Sequence, residues 1–396
     1  MINITEHSKI CIIGLGKLGL PVAEVMSQKY ETHGFDPAGI KSDKGVIIHE
    51  TLEECVSNCD IIFIAVPTPH DALYGGEGPT SHLPRKDFDY SILQDTLSKL
   101  AHCTDSNQLI VNISTVLPGT IRNIVVDLQL AHRFVYNPSL IAMGTVGDDF
   151  EHPDIFVAGF DRWTHNENAQ SIGNQLLNFY KRLWKTMPHA TFGTFEEAEC
   201  IKIFHNTYIS AKLGIANMIA DVTHVMGNAN PTVIAESLRH ADRIVSTRYM
   251  EPGMGDGGPC HPRDNIALSW LAKKLNLGYD LFSDIISARE IQAKNVANEL
   301  LAHKLPVIIL GKSFKPGVSL TDGSSSMLVG HYVEQAGNTV QYDLISQSPA
   351  VYLLAHDTEY KDFNPAQGSV VIDMYRKWKT KLPHVKVVYY GMKHKS

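Results

Sequence analysis

Short apolar runs alternate with amphipathic stretches along this chain, the pattern of strands and helices taken in turn. The first run, Ile10-Cys11-Ile12-Ile13, leads through Gly14-Leu15-Gly16-Lys17-Leu18-Gly19 into an amphipathic stretch over residues 22–29. A second strand is expected to end at Phe35-Asp36, with further strands at residues 60–66, 108–113 and 155–158. A helix is predicted to open at Pro118-Gly119-Thr120 and run to about residue 130. Residues 196–226 carry a long, almost uninterrupted helical pattern, and residues 265–275 and 280–301 carry two more. Strands at 306–310, 350–355 and 370–372, with a turn, strand and acid over Gly337 to Asp343, close the chain, and a frayed tail is expected from Tyr390 to Ser396. Residues 70–88, rich in Gly, Pro and His and without periodicity, read as a long surface loop and a candidate lid.

At 396 residues the chain exceeds what one core holds. The repeated alternation predicts an α/β fold of two Rossmann-like, doubly wound domains joined by a long central helix. The expected division is residues 1–193 for a dinucleotide-binding domain, 194–302 for a central helical region and 303–396 for a second α/β domain.

Composition narrows the partners. Thirty-five basic and 42 acidic residues give a net charge of −7, so no basic footprint for nucleic acid and no polybasic membrane patch is present. The polar amino terminus runs straight into an apolar strand, and no apolar run approaches membrane-spanning length. A cytoplasmic protein is expected. The six cysteines, at 11, 55, 59, 103, 200 and 260, form no CxxC pair, and His70 and His82 fit no metal motif, so neither a disulfide framework nor a metal is predicted.

The turn after the first strand has dinucleotide spacing. Gly14 makes the turn, Gly16 lets a pyrophosphate approach the helix amino terminus, and Gly19 lets helix and strand close together. Asp36 would accept hydrogen bonds from the adenosine ribose and repel a 2′-phosphate, which favours NAD over NADP. Pro67-Thr68 and Ser114-Thr115 end the next strands at the same edge, although Thr115 taken alone is better read as a cap or turn hydroxyl. In the stretch Pro252-Gly253-Met254-Gly255-Asp256-Gly257-Gly258-Pro259-Cys260-His261-Pro262-Arg263-Asp264, dense glycine reads as a shaped loop. Its cysteine fits a reactive thiolate beside Arg263 or an inert buried thiol equally well. Lys202 and Asn206 lie four apart on one helical face, able to hold an oxyanion or to serve as ordinary polar positions of a helix.

Taken together, Gly14 to Pro21, Val66-Pro67-Thr68-Pro69, Ser114-Thr115, Glu197-Ala198-Glu199 with Lys202 and Asn206, and Gly257 to Asp264 resemble the nucleotide-sugar 6-dehydrogenases, the family of UDP-glucose and GDP-mannose dehydrogenases. The resemblance covers almost the entire chain in the same order. It implies NAD-dependent, four-electron oxidation of the C6 primary alcohol of a UDP-hexose or UDP-N-acetylhexosamine to a uronate, by a homodimer. By that resemblance Cys260 forms a thiohemiacetal and then a thioester, Lys202 and Asn206 stabilise the oxyanion, and Asp264 and Thr115 position water and protons. It also assigns Gly14, Gly16, Lys17, Leu18, Gly19, Asp36, Pro67, Thr68, Thr115 and Arg263 to the cofactor. Lys202, Asn206, Gly257, Lys315, Arg243 and Arg248 go to the nucleotide sugar.

Three departures from the family stand out. The two glutamates that follow its Asn-Pro pair are Ser139 and Met143 here, and the second is the one implicated in thioester hydrolysis. Without a carboxylate base the last step would forfeit ~10²–10⁴-fold. Asp256, Glu251 and the acids of the 70–88 loop are the substitutes on offer, and a slowly hydrolysed thioester or a non-catalytic nucleotide-sugar-binding relative are the alternative outcomes. Asp322 and Gly323 replace an arginine and a glutamate, the arginine being a cofactor contact, and the 243–252 loop has one extra residue.

Overall fold

The computed structural model describes residues 2–241, 252–274, 276, 280–356, 359–360, 362–378 and 382–392. The chain divides into two units, Met1–His70 with Asp87–His205, and Asp71–Lys86 with Asn206–Ser396. These units cut the chain differently from the three expected segments: residues 194–205 go with the first sheet, and 206–302 with the second.

The first unit is built on β1 (Ile10–Ile13), β2 (Thr32–Phe35), β3 (Val46–Ile48), β4 (Ile61–Ile64), β5 (Leu109–Asn112), β6 (Phe134–Tyr136), β7 (Ile155–Phe160) and β8 (His189–Thr194). Their order is β3-β2-β1-β4-β5-β6-β7-β8, parallel throughout except between β6 and β7. β1, β4 and β5 are buried along their whole length, as strands covered on both faces must be, and that is why they read as continuous apolar runs. The order reverses between β1 and β4, where an open α/β sheet binds its ligand.

The second unit repeats the principle. β9 (Val307–Leu310), β10 (Val340–Tyr342), β11 (Val351–Leu354), β12 (Val370–Asp373) and β13 (Lys386–Tyr389) form an all-parallel sheet in the order β10-β9-β11-β12-β13. Its reversal falls between β9 and β11. Val296, Leu300, Leu328 and Val333 from flanking helices pack with Ile309, Leu353 and Ile372 from the strands in one buried cluster.

The central helix, Phe195–Met226, begins in the first unit and ends in the second. A capping box starts it: the Glu197 carboxylate accepts from the Thr194 N–H at 2.7 Å, and the Glu197 N–H donates to the Thr194 hydroxyl at 3.3 Å. The next helix of the site, Cys260–Lys274, starts five residues earlier than the sequence pattern indicates. Pro262 lies in its first turn, where a missing N–H costs nothing because that donor has no helical partner anyway.

Two other expectations are corrected. Residues 71–86 are a strap fastened within the second unit, not a free lid. Buried Glu290 accepts from the N–H groups of Thr80 and Ser81, Arg289 donates to the Gly76 carbonyl at 3.2 Å, and Arg85 donates to the Ser283 hydroxyl at 2.7 Å. Tyr74 packs with Ile266 and Ile286. A buried carboxylate and guanidinium need such partners, and the strap's backbone supplies them. Tyr390 is not frayed: it is buried, donates to Asp221 at 2.7 Å and stacks on His224 with ring centroids 4.5 Å apart. Among the described residues no helix is long and apolar enough to cross a membrane.

Candidate active site

The three glycines after β1 differ in what demands them. At Gly14, with φ +91°, an added Cβ would lie 2.8 Å from the Ala65 carbonyl oxygen, and at Gly19 it would lie 1.8 Å from that of Gly14. At Gly16 it would meet nothing within 4 Å. The protein's own packing therefore requires Gly14 and Gly19, whereas Gly16 faces open space into which a ligand's phosphates can come close to the backbone. Leu18 stands at the N-cap of the helix Gly19–Met26 and supplies no side-chain cap; the Leu20 N–H donates to the Gly16 carbonyl at 3.1 Å and Pro21 has no N–H, so what this end offers an anion is its dipole and the N–H groups ahead of Leu20. Lys17 is exposed beside it. Asp36 is held at the end of β2, accepting from the N–H groups of Leu15 at 2.7 Å and Ala38 at 2.8 Å. These residues fit the NAD assigned to them.

At the same edge, the ends of β4 and β5 are tied together. Thr68 donates its hydroxyl to the Thr115 carbonyl at 2.7 Å, and Ser114 donates to the Val66 carbonyl at 2.7 Å. Pro67 is exposed, and Thr115 is half-buried. Just beyond, the helix Thr120–Asp127 is capped from a distance: Glu199 of the central helix accepts from the N–H groups of Gly119 at 2.6 Å and Ile121 at 2.7 Å. Burial pushes its carboxyl up to about 7 against those two donors. In the sequence Glu199 closes the Glu197-Ala198-Glu199 motif, and its place one turn before Lys202 is the one local signal of this role. Lys202 is buried and donates from Nζ to the Ser139 carbonyl at 2.8 Å.

In the second unit Cys260 is the first residue of its helix, a position whose dipole favours negative charge. The glycines before it are required sterically. A Cβ on Gly257 would lie 3.0 Å from the Phe314 carbonyl oxygen, one on Gly258 (φ +91°) would lie 3.3 Å from the Phe314 ring, and one on Gly323 (φ +69°) would lie 2.1 Å from the Gly258 carbonyl oxygen. Asp322 is exposed, so of the replaced arginine–glutamate pair it is Gly323 that shapes the cysteine loop. One turn after the cysteine, fully buried Asp264 accepts from Asn206 Nδ2 at 2.6 Å and from Arg263 Nε at 2.8 Å. Arg263, expected beside the cofactor, pairs with this neighbouring carboxylate. His261 Nδ1 meets the Ser210 hydroxyl at 2.7 Å.

Lys315 is half-buried after β9, its ammonium 5.6 Å from the Phe314 ring centroid. The turn that carries it is fixed by Gly311, whose N–H donates to Asp343 at 2.6 Å. Arg243, Arg248 and Glu251 lie outside the described residues. The other substitute carboxylates are engaged. Asp256 is buried and bound by Arg289 at 2.7 Å, Asp71 pairs with Lys86, Glu77 accepts from Thr321, and Asp87 accepts from Tyr90. Met143 packs against the core of the first unit.

Residues 37–177 match the NAD binding domain of the UDP-glucose/GDP-mannose dehydrogenase family, and residues 196–290 match its central domain. The first match begins one residue past Asp36, so the glycine turn stands on its own geometry. The chain is 26% identical over 326 residues to a UDP-glucose 6-dehydrogenase of Rickettsia prowazekii, covering 80% of this chain and 69% of that protein. It is 26% identical over 377 residues to a GDP-mannose 6-dehydrogenase of Pseudomonas putida, covering 86% and 81%. Its fold is that of a UDP-glucose dehydrogenase from Pyrobaculum islandicum, with a TM-score of 0.78 at 20% identity over 98% of each chain. A UDP-D-ManNAc dehydrogenase from Pyrococcus horikoshii gives 0.77 at 19% identity over 97% of this chain and 99% of that one.

Proposed function

The chain belongs to the UDP-glucose/GDP-mannose dehydrogenase family, and from that premise we propose that it oxidises the C6 primary alcohol of a nucleotide sugar to a carboxylate. The sugar is a UDP-hexose or a UDP-N-acetylhexosamine. NAD, when bound, accepts one hydride at each of the two oxidation levels.

The chain's own residues do the rest. Thr68 and Ser114 fix the edge where Thr115 sits, and the glycine turn with Asp36 holds the dinucleotide. Cys260, at its helix terminus, attacks the C6 aldehyde and later carries the acid-level carbon as a thioester. Lys202 and Asn206 supply donors for the oxyanion that forms at each stage. Asp264 holds Asn206 in place and stands one turn from the cysteine. Lys315, after β9, takes the nucleotide sugar, and a homodimer is part of the same reading.

The observation that carries the proposal is the cysteine's setting: a helix-terminal thiol with a buried carboxylate one turn away, itself held by an asparagine of the central helix. An inert core cysteine needs none of this. The test is NADH formation with UDP-glucose, UDP-N-acetylglucosamine, UDP-N-acetylmannosamine, UDP-galactose and GDP-mannose, with the product identified. A uronate from one of the UDP-sugars is expected. Silence across the panel, while NAD still binds, would refute the activity.

A further inference from the structure

We propose that His261 is the general base that hydrolyses the Cys260 thioester, a role that rests on the function proposed above. The family's carboxylate positions hold Ser139 and Met143 here. Each substitute acid that the structure describes is spent on another partner, Asp256 on buried Arg289 above all. His261 is the group beside the cysteine whose chemistry is not spent.

Ser210 Oγ is within reach of two acceptors, the Asn206 carbonyl at 3.2 Å and His261 Nδ1 at 2.7 Å, and has one proton to give. The proposed role takes the arrangement in which that proton goes to the carbonyl: Ser210 then offers Nδ1 a lone pair, Nδ1 carries the ring hydrogen, and in the neutral ring the lone pair is on Nε2. Nε2 makes no hydrogen bond among the described residues, and the ring is half-buried, so water can reach it.

Position supports the assignment. Cys260 and His261 open one helix and Asp264 follows one turn on, four residues from the cysteine and three from the histidine. The side chains of adjacent residues on a helix diverge, so a base at 261 acts on the cysteine's acyl group through an intervening water, which is what hydrolysis needs. On the facing stripe of the central helix, Asn206 holds Asp264 and Ser210 holds His261, one turn apart. The charged groups beside His261 on its own helix are Arg263 and Asp264, and they neutralise one another at 2.8 Å.

The step balances without any electron transfer. Nε2 takes a proton from water as the water oxygen bonds to the thioester carbonyl carbon. The carbon–sulfur bond then breaks, its electron pair leaves on the Cys260 sulfur, and the imidazolium returns the proton there. The products are the carboxylic acid and the free thiol.

The experiment uses the full chain with NAD and the nucleotide sugar that the wild type oxidises. His261→Asn keeps a donor toward Ser210 and removes the base. It is expected to produce the same initial burst of two NADH per site, to accumulate an acyl adduct on Cys260 in intact-protein mass spectra, and to lose ~10²-fold in steady-state uronate formation. Imidazole added to His261→Ala should restore turnover, which it would not do for a merely structural residue. Ser210→Ala should show the same adduct at a smaller loss. Uronate formation by His261→Asn at the wild-type rate, or a loss of its burst, would overturn the role of His261 alone. A wild type that yields no NADH from any sugar would overturn the activity and this role together.

Discussion

The two sheets open on the same device and finish it differently. After β1 the turn is tied to Asp36 through the Leu15 N–H, and after β9 the turn is tied to Asp343 through the Gly311 N–H. In the first unit a helix follows at once, its amino terminus without a side-chain cap and Gly16 facing open space. In the second, the helix Ser325–Gln335 comes much later and Ser324 caps it, accepting from the Met327 N–H. The second turn instead carries Lys312 and Lys315. On the proposed reading, one turn offers backbone donors and a helix dipole to a diphosphate, while the other offers side-chain cations. The difference teaches that strand, turn and acid define the fold, and that the residues left unsatisfied after the acid define the ligand.

The first turn depends most heavily on Gly19. A Cβ there lands on the Gly14 carbonyl, so Gly19→Ala should destabilise the first unit by about 3–5 kcal/mol and abolish NAD binding, read by urea unfolding and by titration with NAD. The distant cap comes next. Because the Glu199 carboxyl is raised from 4.5 to about 7, the folded chain keeps a proton there that the unfolded chain has lost. Its contribution to stability is therefore full below pH 4.5 and falls by about 3 kcal/mol as the pH rises to 7. Unfolding midpoints at several pH values should show that slope in the wild type and a flatter one in Glu199→Gln. The hydroxyl cap at Ser324 carries no such dependence.

Gly16→Ala separates ligand from packing. With no protein atom in the way, its thermal midpoint should match the wild type while the Kd for NAD rises about tenfold or more, a loss of at least ~1.4 kcal/mol. A matching change in stability would mean that packing, and not a ligand, explains this glycine. Lys315→Ala should give the smallest effect. About a tenfold rise in KM for the nucleotide sugar is expected, with NAD affinity unchanged, in steady-state kinetics that vary each substrate in turn.

Much of this was legible in the sequence, for physical reasons. Strands buried on both faces, such as β1, β4, β5, β9 and β11, leave unbroken apolar runs. β8 and β13 are partly exposed and mix polar with apolar residues, and β3 is three residues long and partly exposed, so they left no such trace. The start of the cysteine helix was hidden because glycine and proline read as loop, although Pro262 is at home in a first turn. The fate of the substitute acids was invisible for another reason. Asp256 meets Arg289 and the strap meets Glu290 only once the chain is folded, since no local pattern links residues so far apart in sequence. His261 suffered the reverse: it lay inside the motif that was read, yet its tautomer depends on Ser210, a helix away.

The central claim is a four-electron oxidation that passes through a bond to Cys260, and one count tests it most directly. With a nucleotide sugar from the panel that supports turnover, the wild type should form two NADH for every uronate released, and Cys260→Ser should release none. A ratio of one, with an aldehyde as the product, or a full yield of uronate from Cys260→Ser, would contradict it.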